Sequence, residues 1–297
     1  MGVDAVEPDV VATRDGVLVV RHENEISGTT DVAEHPEFAD RKTSKSVDGQ
    51  SLTGWFTEDF TWAELSTLRT RERLPALRPS SAGFDDTEPI LRLADLLDLV
   101  REGAAAHGRE IGVVLEIKHA TYFAGIGLDL APLVERDLRA SGWADGGLPL
   151  VIESFEPTVL GQLRARGIVA SYVYLIEASG TPYDLLVAQG AQAPTYQQTV
   201  TPQGLDGLVG EVDGISVDKG MLLASGNTIV PDAHDRGLEV FTWTCRPENA
   251  FLSPPFRGEG GPGAFGDYEA EWDAIARTGV DGVFVDHPDL GVEFFRG

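Results

Sequence analysis

The sequence lacks the features that mark disulfide-rich, membrane-spanning and nucleic-acid-binding proteins. One cysteine, Cys245, in 297 residues excludes an internal disulfide and a cysteine-rich zinc site. No run of about 18 apolar residues is present, so we expect no integral membrane segment. Basic residues number 23 against 48 acidic residues, a formal net charge of −25. This balance argues against a nucleic-acid partner and against general attraction to anionic membranes.

What the sequence does contain is an alternation of strand and helix patterns, which predicts an α/β fold with a parallel sheet. A strand begins near Glu7. The later predicted strands are 111–116, 150–154, 169–175, 214–217, 239–244 and 282–285, and the helices are 91–101, 129–140, 157–166, 182–189, 202–209, 227–236 and 268–277. These are seven candidate strands of a (β/α)8 TIM barrel, which commonly forms one domain of about this length. We expect the missing strand to be the first.

The first predicted strand carries two acids that project together. Glu7 and Asp9 are two residues apart, and alternate side chains of a strand share a face. The turn 14–16 and the apolar run Val17–Val20 then predict a hairpin that returns His22 towards these acids. Two such acids are more often solvated than metal-bound, and a lone histidine is more often structural.

A second strand adds a carboxylate and an amine. Glu116 and Lys118 also share a face by the period of two, so Glu7, Asp9 and Glu116 form an oxygen-rich set suited to Ca²⁺ or Mg²⁺. Lys118 offers a point charge for a phosphate oxygen. The alternative is that Lys118 simply neutralises Glu116 in an ion pair.

The combined motif resembles that of the glycerophosphodiester phosphodiesterase family, in particular its bacterial secreted branch. The resemblance runs from Glu7 to Asp289 and is carried by Glu7/Asp9, Thr13–Gly16, Val17–Val20, His22, Thr29–Thr30, the LEIK stretch at 115–118, Ser154-Phe155, Trp243-Thr244 and the closing residues 279–289. Glu23 stands where the family usually has Asp. The family's first-strand His-Arg-Gly has no counterpart here, so we expect the first βα unit to be missing and the activity of this chain to be reduced accordingly.

The resemblance implies hydrolysis of small-molecule glycerophosphodiesters to sn-glycerol 3-phosphate and an alcohol, at a divalent metal held by Glu7, Asp9 and Glu116, with Ca²⁺ favoured over Mg²⁺. It implies acid/base chemistry for His22 and charge stabilisation by Lys118. The implied substrate-binding residues are Glu153, Phe155 and Trp243, although Phe155 and Trp243 are equally expected as plain core residues. It also implies a periplasmic or secreted protein, although no signal peptide is recognised.

Three alternatives remain open at this stage. One is a related barrel phosphodiesterase of the phospholipase D or C kind. Another is a truncated barrel that binds metal and glycerol phosphate without turnover. The last is an unrelated barrel with these acids on its surface.

We predict one domain over residues 1–297, with residues 25–90 as an insertion over the barrel mouth after the second strand. Within it, Thr61 and Glu64 have the spacing of a helix-capping box.

Overall fold

The computed structural model describes residues 2–297, which form two compact units. The N-terminal unit is Asp4–Ala170, and the C-terminal unit is Ser171–Gly297 together with the described residues before Asp4. The predicted single domain and the placement of residues 25–90 over a barrel mouth stay predictions.

The N-terminal unit is built on a mostly parallel sheet. Its strands are β1 (Ala5–Val6), β2 (Asp9–Ala12), β3 (Leu18–Val20), β4 (Thr43–Val47), β5 (Gln50–Gly54), β6 (Gly112–Ile117) and β7 (Leu150–Ser154). The sheet order is β7–β6–β2–β3, with β1 also on β6, and β4–β5 is a separate hairpin. Its α-helices are α1 (Trp62–Leu65), α2 (Pro79–Ala82), α3 (Leu93–His107), α4 (Ala120–Gly125), α5 (Leu130–Ser141) and α6 (Pro157–Ala165), and Val32–Glu34, Pro36–Arg41 and Thr57–Asp59 are 3-10 helices.

The C-terminal unit continues the alternation of strand and helix. Its parallel strands, in the order β11–β10–β9–β8, are β8 (Ser171–Ile176), β9 (Gly214–Asp218), β10 (Glu239–Cys245) and β11 (Gly282–Val285). Its α-helices are α7 (Tyr183–Gln189), α8 (Tyr196–Thr199), α9 (Pro202–Asp206), α10 (Lys219–Leu222), α11 (Ile229–His234), α12 (Tyr268–Ala276) and α13 (Pro288–Arg296), and Gly190–Gln192 and Pro254–Phe256 are 3-10 helices.

The seven predicted strands are all confirmed, and the first of them is interrupted at Pro8. Strands β1 and β2 both lie parallel to β6 and share one register, with Ala5 opposite Gly112 and Asp9 opposite Glu116. Proline has no N–H to donate, but the Pro8 carbonyl accepts a hydrogen bond of 3.0 Å from the Glu116 N–H. The two segments are therefore one strand line that carries Glu7 and Asp9 along β6.

Helix ends differ from prediction where glycine decides them. Helix α3 continues six residues beyond the predicted end at Arg101 and stops at His107, before Gly108 in the left-handed region (φ 62°). Helix α9 stops at Asp206 instead of Val209, with Gly207 as its C-cap. The capping box of α1 is present, with Thr61 accepting from the Glu64 N–H. Hairpin β4–β5 and helices α2, α4, α8, α10 and α13 were not predicted.

The core of the N-terminal unit follows the apolar patterns of its strands and helices. Strand β2 buries Val10, Val11 and Ala12 completely. Helix α5 buries Leu130, Val134 and Leu138, which recur every fourth residue and so line one face. Each such side chain contributes roughly 1.5–3 kcal/mol by leaving water. This packing holds the strands that carry the acids.

Within residues 2–297, each helix is too short or too polar to cross a membrane.

One glycine within α6 and one just after it test whether the backbone is helical at the first position and left-handed at the second. Gly161 lies inside the helix and Gly167 follows it at φ 75°, and a Cβ at either position would meet nothing within 4 Å. We expect Gly161→Ala to stabilise the fold by about 0.5–1 kcal/mol because alanine loses less backbone entropy. Gly167→Ala should destabilise it by about 1 kcal/mol because a Cβ disfavours the left-handed region. Urea unfolding midpoints measure both, and a shift of the same sign in the two variants would contradict the assignments.

Candidate metal centre and active site

The strand register places three carboxyl groups side by side. Asp9 on β2 is opposite Glu116 on β6, and Glu116 is opposite Glu153 on β7. Neighbouring strands lie about 4.8 Å apart, so residues in register on one face are in contact range. Glu116 and Glu153 stand towards the C-terminal ends of the parallel strands β6 and β7, where the working residues of α/β folds gather. Asp9 is the first residue of β2 but lies beside Glu116 because the strand line that pairs with β6 already begins at Ala5.

Glu7 completes a group of acids with the spacing of a metal site. One carboxylate oxygen from each of Glu7, Asp9 and Glu116 lies within 4.8 Å of the others. Glu7 is exposed, Asp9 is half-buried and Glu116 is buried, so the group opens outwards at Glu7. The structure thus brings together the three acids that the sequence predicted as ligands, and their binding of a metal stays a prediction.

Lys118 lies against two of these acids. Its buried Nζ is 2.6 Å from Glu116 Oε1 and 3.0 Å from Asp9 Oδ1. Burial opposes the charge of Lys118, but the carboxylates of Glu116 and Asp9 outweigh it and hold the pKa of the amine above its usual range. The ion pair foreseen as the alternative for Lys118 is therefore present, and its contact with a phosphate stays a prediction.

The cluster holds one ammonium, in contact with Asp9 and Glu116, and two further carboxyl groups, Glu7 and Glu153. One positive charge could not balance all four acids if they were ionised together. Burial raises the pKa of Glu116 to about 8, with Lys118 opposing the rise and Asp9 adding to it. Burial also raises the pKa of Glu153 well above its usual range, with the charges of Glu116 and Glu7 adding to it. Glu153 Oε2 is buried and has no hydrogen-bond partner among residues 2–297.

These residues fit a hard divalent cation. The donors are all carboxylate oxygens, the type that Ca²⁺ and Mg²⁺ prefer. A dication would favour the ionised form of the acids whose pKa values burial and their neighbours' charges raise. Glu7, Asp9 and Glu116 would hold such an ion.

His22 lies beside this cluster, on the far side of Lys118. It follows β3, whose pairing with β2 continues as the Arg21 N–H donates to the Asp9 carbonyl at 3.0 Å. His22 Nε2 is 3.3 Å from Lys118 Nζ, and His22 Nδ1 is 2.7 Å from Glu23 Oε1. The predicted hairpin therefore does return the imidazole to the acids, with one side of the ring open to solvent.

The remaining predicted residues are divided between the two units. The Phe155 ring centroid lies 5.6 Å from Lys118 Nζ, which places Phe155 next to the cluster. Trp243 is half-buried on β10 of the C-terminal unit, and its Nε1 donates to the Ser216 carbonyl at 3.3 Å. Substrate contact by Phe155, Trp243 and Glu153 stays a prediction.

Two contacts near the cluster were missed from the sequence. His119, which follows Lys118, has a left-handed backbone (φ 54°), and its Nδ1 is 2.5 Å from Asp48 Oδ2 in the turn of hairpin β4–β5. Arg73 Nη1 donates to Glu23 Oε1 at 2.7 Å. The Asp48-Gly49 pair was a recognisable turn signal, but no sequence pattern links residues so far apart.

Comparison with known proteins settles the family. The model of the Glycerophosphoryl diester phosphodiesterase family matches residues 1–290. The chain belongs to this family.

Relatives of this phosphodiesterase match along most of its length. Glycerophosphodiester phosphodiesterase GDPD6 of Arabidopsis thaliana is 29% identical, over 96% of this chain and 76% of the plant protein. A solved glycerophosphoryl diester phosphodiesterase structure from Silicibacter pomeroyi covers 99% of this chain and 83% of its own, with 22% identity and a TM-score of 0.62. The Oleispira antarctica phosphodiesterase solved with the product sn-glycerol-3-phosphate covers 100% of this chain and 86% of its own, with 17% identity and a TM-score of 0.60. These likenesses confirm the predicted α/β fold of the phosphodiesterase type.

Cation binding to this phosphodiesterase is testable without any substrate. We expect millimolar Ca²⁺ or Mg²⁺ to raise the melting temperature, because a ligand that binds the folded state at 100 times its Kd stabilises it by about 2.7 kcal/mol. Glu116→Gln should abolish the increase, because it removes a buried ligand. Glu102→Gln, an exposed acid on α3, should keep it. An equal cation response in wild type and Glu116→Gln would show that the ion binds elsewhere.

Proposed function

We propose that this phosphodiesterase hydrolyses glycerophosphodiesters to sn-glycerol 3-phosphate and an alcohol, and that the reaction depends on a divalent cation. The observation that carries the proposal is the cluster of Glu7, Asp9 and Glu116 around the Lys118 amine, within a chain of this family. The product-bound Oleispira structure supports the product class for a protein of the same fold.

The proposed cation site consists of Glu7, Asp9 and Glu116. When bound, a dication supplies Lewis-acid activation of a phosphate oxygen and lowers the pKa of a coordinated hydroxyl or water. We favour Ca²⁺ over Mg²⁺ because Glu7 is exposed and the ligand set is acidic and open, and Ca²⁺ accepts flexible oxygen sets more readily than Mg²⁺ does.

Lys118 is proposed to stabilise the phosphate group as charge builds on its oxygens. Its ammonium is already held in place by Asp9 and Glu116, so little reorganisation is required during the reaction. A phosphate that enters the cluster would share this ammonium with the two carboxylates.

His22 is proposed to transfer the proton that the leaving alcohol oxygen needs. Its Nε2 faces Lys118 and therefore the proposed phosphate position, and the imidazole is the side chain best suited to proton transfer near neutral pH. Such a group typically contributes about a hundredfold or more in rate.

Substrate contacts are proposed for Phe155, Glu153 and Trp243, the residues that the family resemblance indicates. Phe155 would form an apolar wall for the glycerol carbons, as its ring already packs near Lys118. Glu153, with a buried carboxyl oxygen that lacks a partner among the described residues, would bind a glycerol hydroxyl. Trp243 is proposed as a further apolar contact from β10.

Asp9→Asn tests the proposal. The substitution keeps the size of the side chain but removes a ligand charge, so we expect kcat/KM for glycerophosphocholine to fall by about a hundredfold or more even in saturating Ca²⁺. Glycerol 3-phosphate release is the measurement, chelation of wild type should have the same effect, and Glu102→Gln should keep wild-type activity. Full turnover by Asp9→Asn in saturating metal would refute the ligand assignment.

The same assays separate the alternatives. Faster hydrolysis of sphingomyelin or a phosphoinositide than of glycerophosphocholine would indicate a related phosphodiesterase of the phospholipase D or C kind. Calorimetric binding of glycerol 3-phosphate without release of product from any diester would indicate a binding protein.

A further inference from the structure

Glu23 joins the proposed catalytic histidine to an arginine of the segment between β3 and α3. Its Oε1 is 2.7 Å from His22 Nδ1 and 2.7 Å from Arg73 Nη1. The proposed function assigns no role to Glu23 or Arg73, although hydrogen bonds connect both of them to His22.

The contact with Glu23 determines which nitrogen of His22 carries a proton. A carboxylate only accepts hydrogen bonds, so a neutral His22 must carry its hydrogen on Nδ1 to satisfy Glu23. Nε2 of the neutral ring then has a lone pair, which faces the Lys118 ammonium at 3.3 Å. In the proposed reaction, the proton that the leaving alcohol oxygen needs is taken up at this nitrogen before it is passed on. The hydrogen bond at one ring nitrogen thus sets the state of the other, as in other histidine–carboxylate pairs.

Glu23 is ionised throughout the range in which the enzyme would work. Burial opposes its charge, but the hydrogen bonds and charges of His22 and Arg73 outweigh burial and lower the pKa of the carboxyl to about 2. A permanent carboxylate is therefore present at His22 Nδ1.

Arg73 is held by a segment that is tied to the rest of the N-terminal unit. The Arg71 N–H donates to the Thr29 carbonyl at 2.9 Å, and the Arg71 side chain pairs with Asp86 at 2.6 Å and Glu34 at 2.6 Å. These bonds fix the backbone two residues before Arg73, which limits where its guanidinium can reach.

We propose that Glu23 and Arg73 are positioning residues for His22. Glu23 fixes the tautomer and orientation of the imidazole, and Arg73 fixes Glu23. The role rests on the proposed function of His22, while the geometry behind it is independent of any substrate. The charged groups that face the pair are Lys118 at Nε2 and Arg21, whose charge interacts with both Glu23 and Arg73.

The competing interpretation is a surface ion pair without consequence. The side chains of Arg73, Glu23 and His22 are 44%, 35% and 53% exposed, and exposed pairs typically contribute at most about 1 kcal/mol to stability. Such a pair would affect neither the tautomer of His22 nor kcat.

Glu23→Leu and Arg73→Leu test the proposal in the metal-loaded, full-length protein. We expect Glu23→Leu to lower kcat by about ten- to a hundredfold with little change in KM, and Arg73→Leu to lower it less. The ¹⁵N shifts of the His22 imidazole should show the Nδ1–H tautomer in wild type and a mixture of tautomers in Glu23→Leu. Glu23→Asp and Arg73→Lys should restore part of both signals, because each keeps the charge.

Arg101→Leu is the matched control, since it removes an exposed arginine on α3 that pairs with Asp98 and not with His22, Glu23 or Arg73. It should leave kcat and the tautomer unchanged. Wild-type kcat and tautomer in Glu23→Leu would overturn the proposal, as would an equal loss in Arg101→Leu and Arg73→Leu. If Glu23→Leu does not fold, Arg73→Leu decides alone, with an unchanged tautomer and kcat counting against the proposal.

Different results would refute the proposed hydrolysis and the positioning role of Glu23 and Arg73. A wild-type protein that releases no glycerol 3-phosphate refutes the proposed function, but the ¹⁵N tautomer measurement still tests the geometry. Normal activity in His22→Ala removes the catalytic role of His22 and with it the purpose assigned to Glu23 and Arg73.

Discussion

The hydrogen-bonded register of β2, β6 and β7 is the constraint on which the site depends. It sets Asp9 opposite Glu116 and Glu116 opposite Glu153. Like charges opposite each other destabilise a sheet, so this arrangement requires compensation. The Lys118 ammonium, one residue beyond the end of β6, supplies part of this compensation. A slip of one residue in the register would turn these side chains to the other face of the sheet.

Because the whole chain is acidic, binding of an anionic substrate requires positive charge close to the site. With a formal net charge of −25, the protein offers an anionic substrate an unfavourable long-range field, although salt screens that field beyond about 8–10 Å. Attraction for a phosphate must therefore arise at short range, where Lys118 already stands. The segment between β3 and α3 also contacts residues beside the cluster, since Arg73 binds Glu23 and Asp48 binds His119. This segment therefore helps to shape the site.

The sequence predicted local structure and the acid cluster well because both depend on short-range patterns. The period of two on a strand places Glu7 with Asp9 and Glu116 with Lys118, and short apolar runs mark the predicted strands. The sequence could not predict the Asp48–His119 and Glu23–Arg73 contacts, because they join residues 71 and 50 positions apart through the course of an irregular segment. Hairpin β4–β5 was missed although Asp48-Gly49 is a strong turn signal, because the flanking residues are too polar to stand out as strands. The extent of α3 was underestimated because its last turns, rich in alanine, have helix propensity but no amphipathic pattern.

Pro8 has a consequence for the acids on either side of it. Its ring fixes one backbone torsion in the folded and the unfolded chain alike, while its carbonyl accepts the Glu116 N–H. In the proposed cation site, Glu7 and Asp9 would be the two arms of a chelate whose connecting residue is stiff before any ion binds. The conformational freedom of the residue between the two carboxylates would then be lost during folding and not on binding. A dication would bind carboxylates whose separation is already restricted.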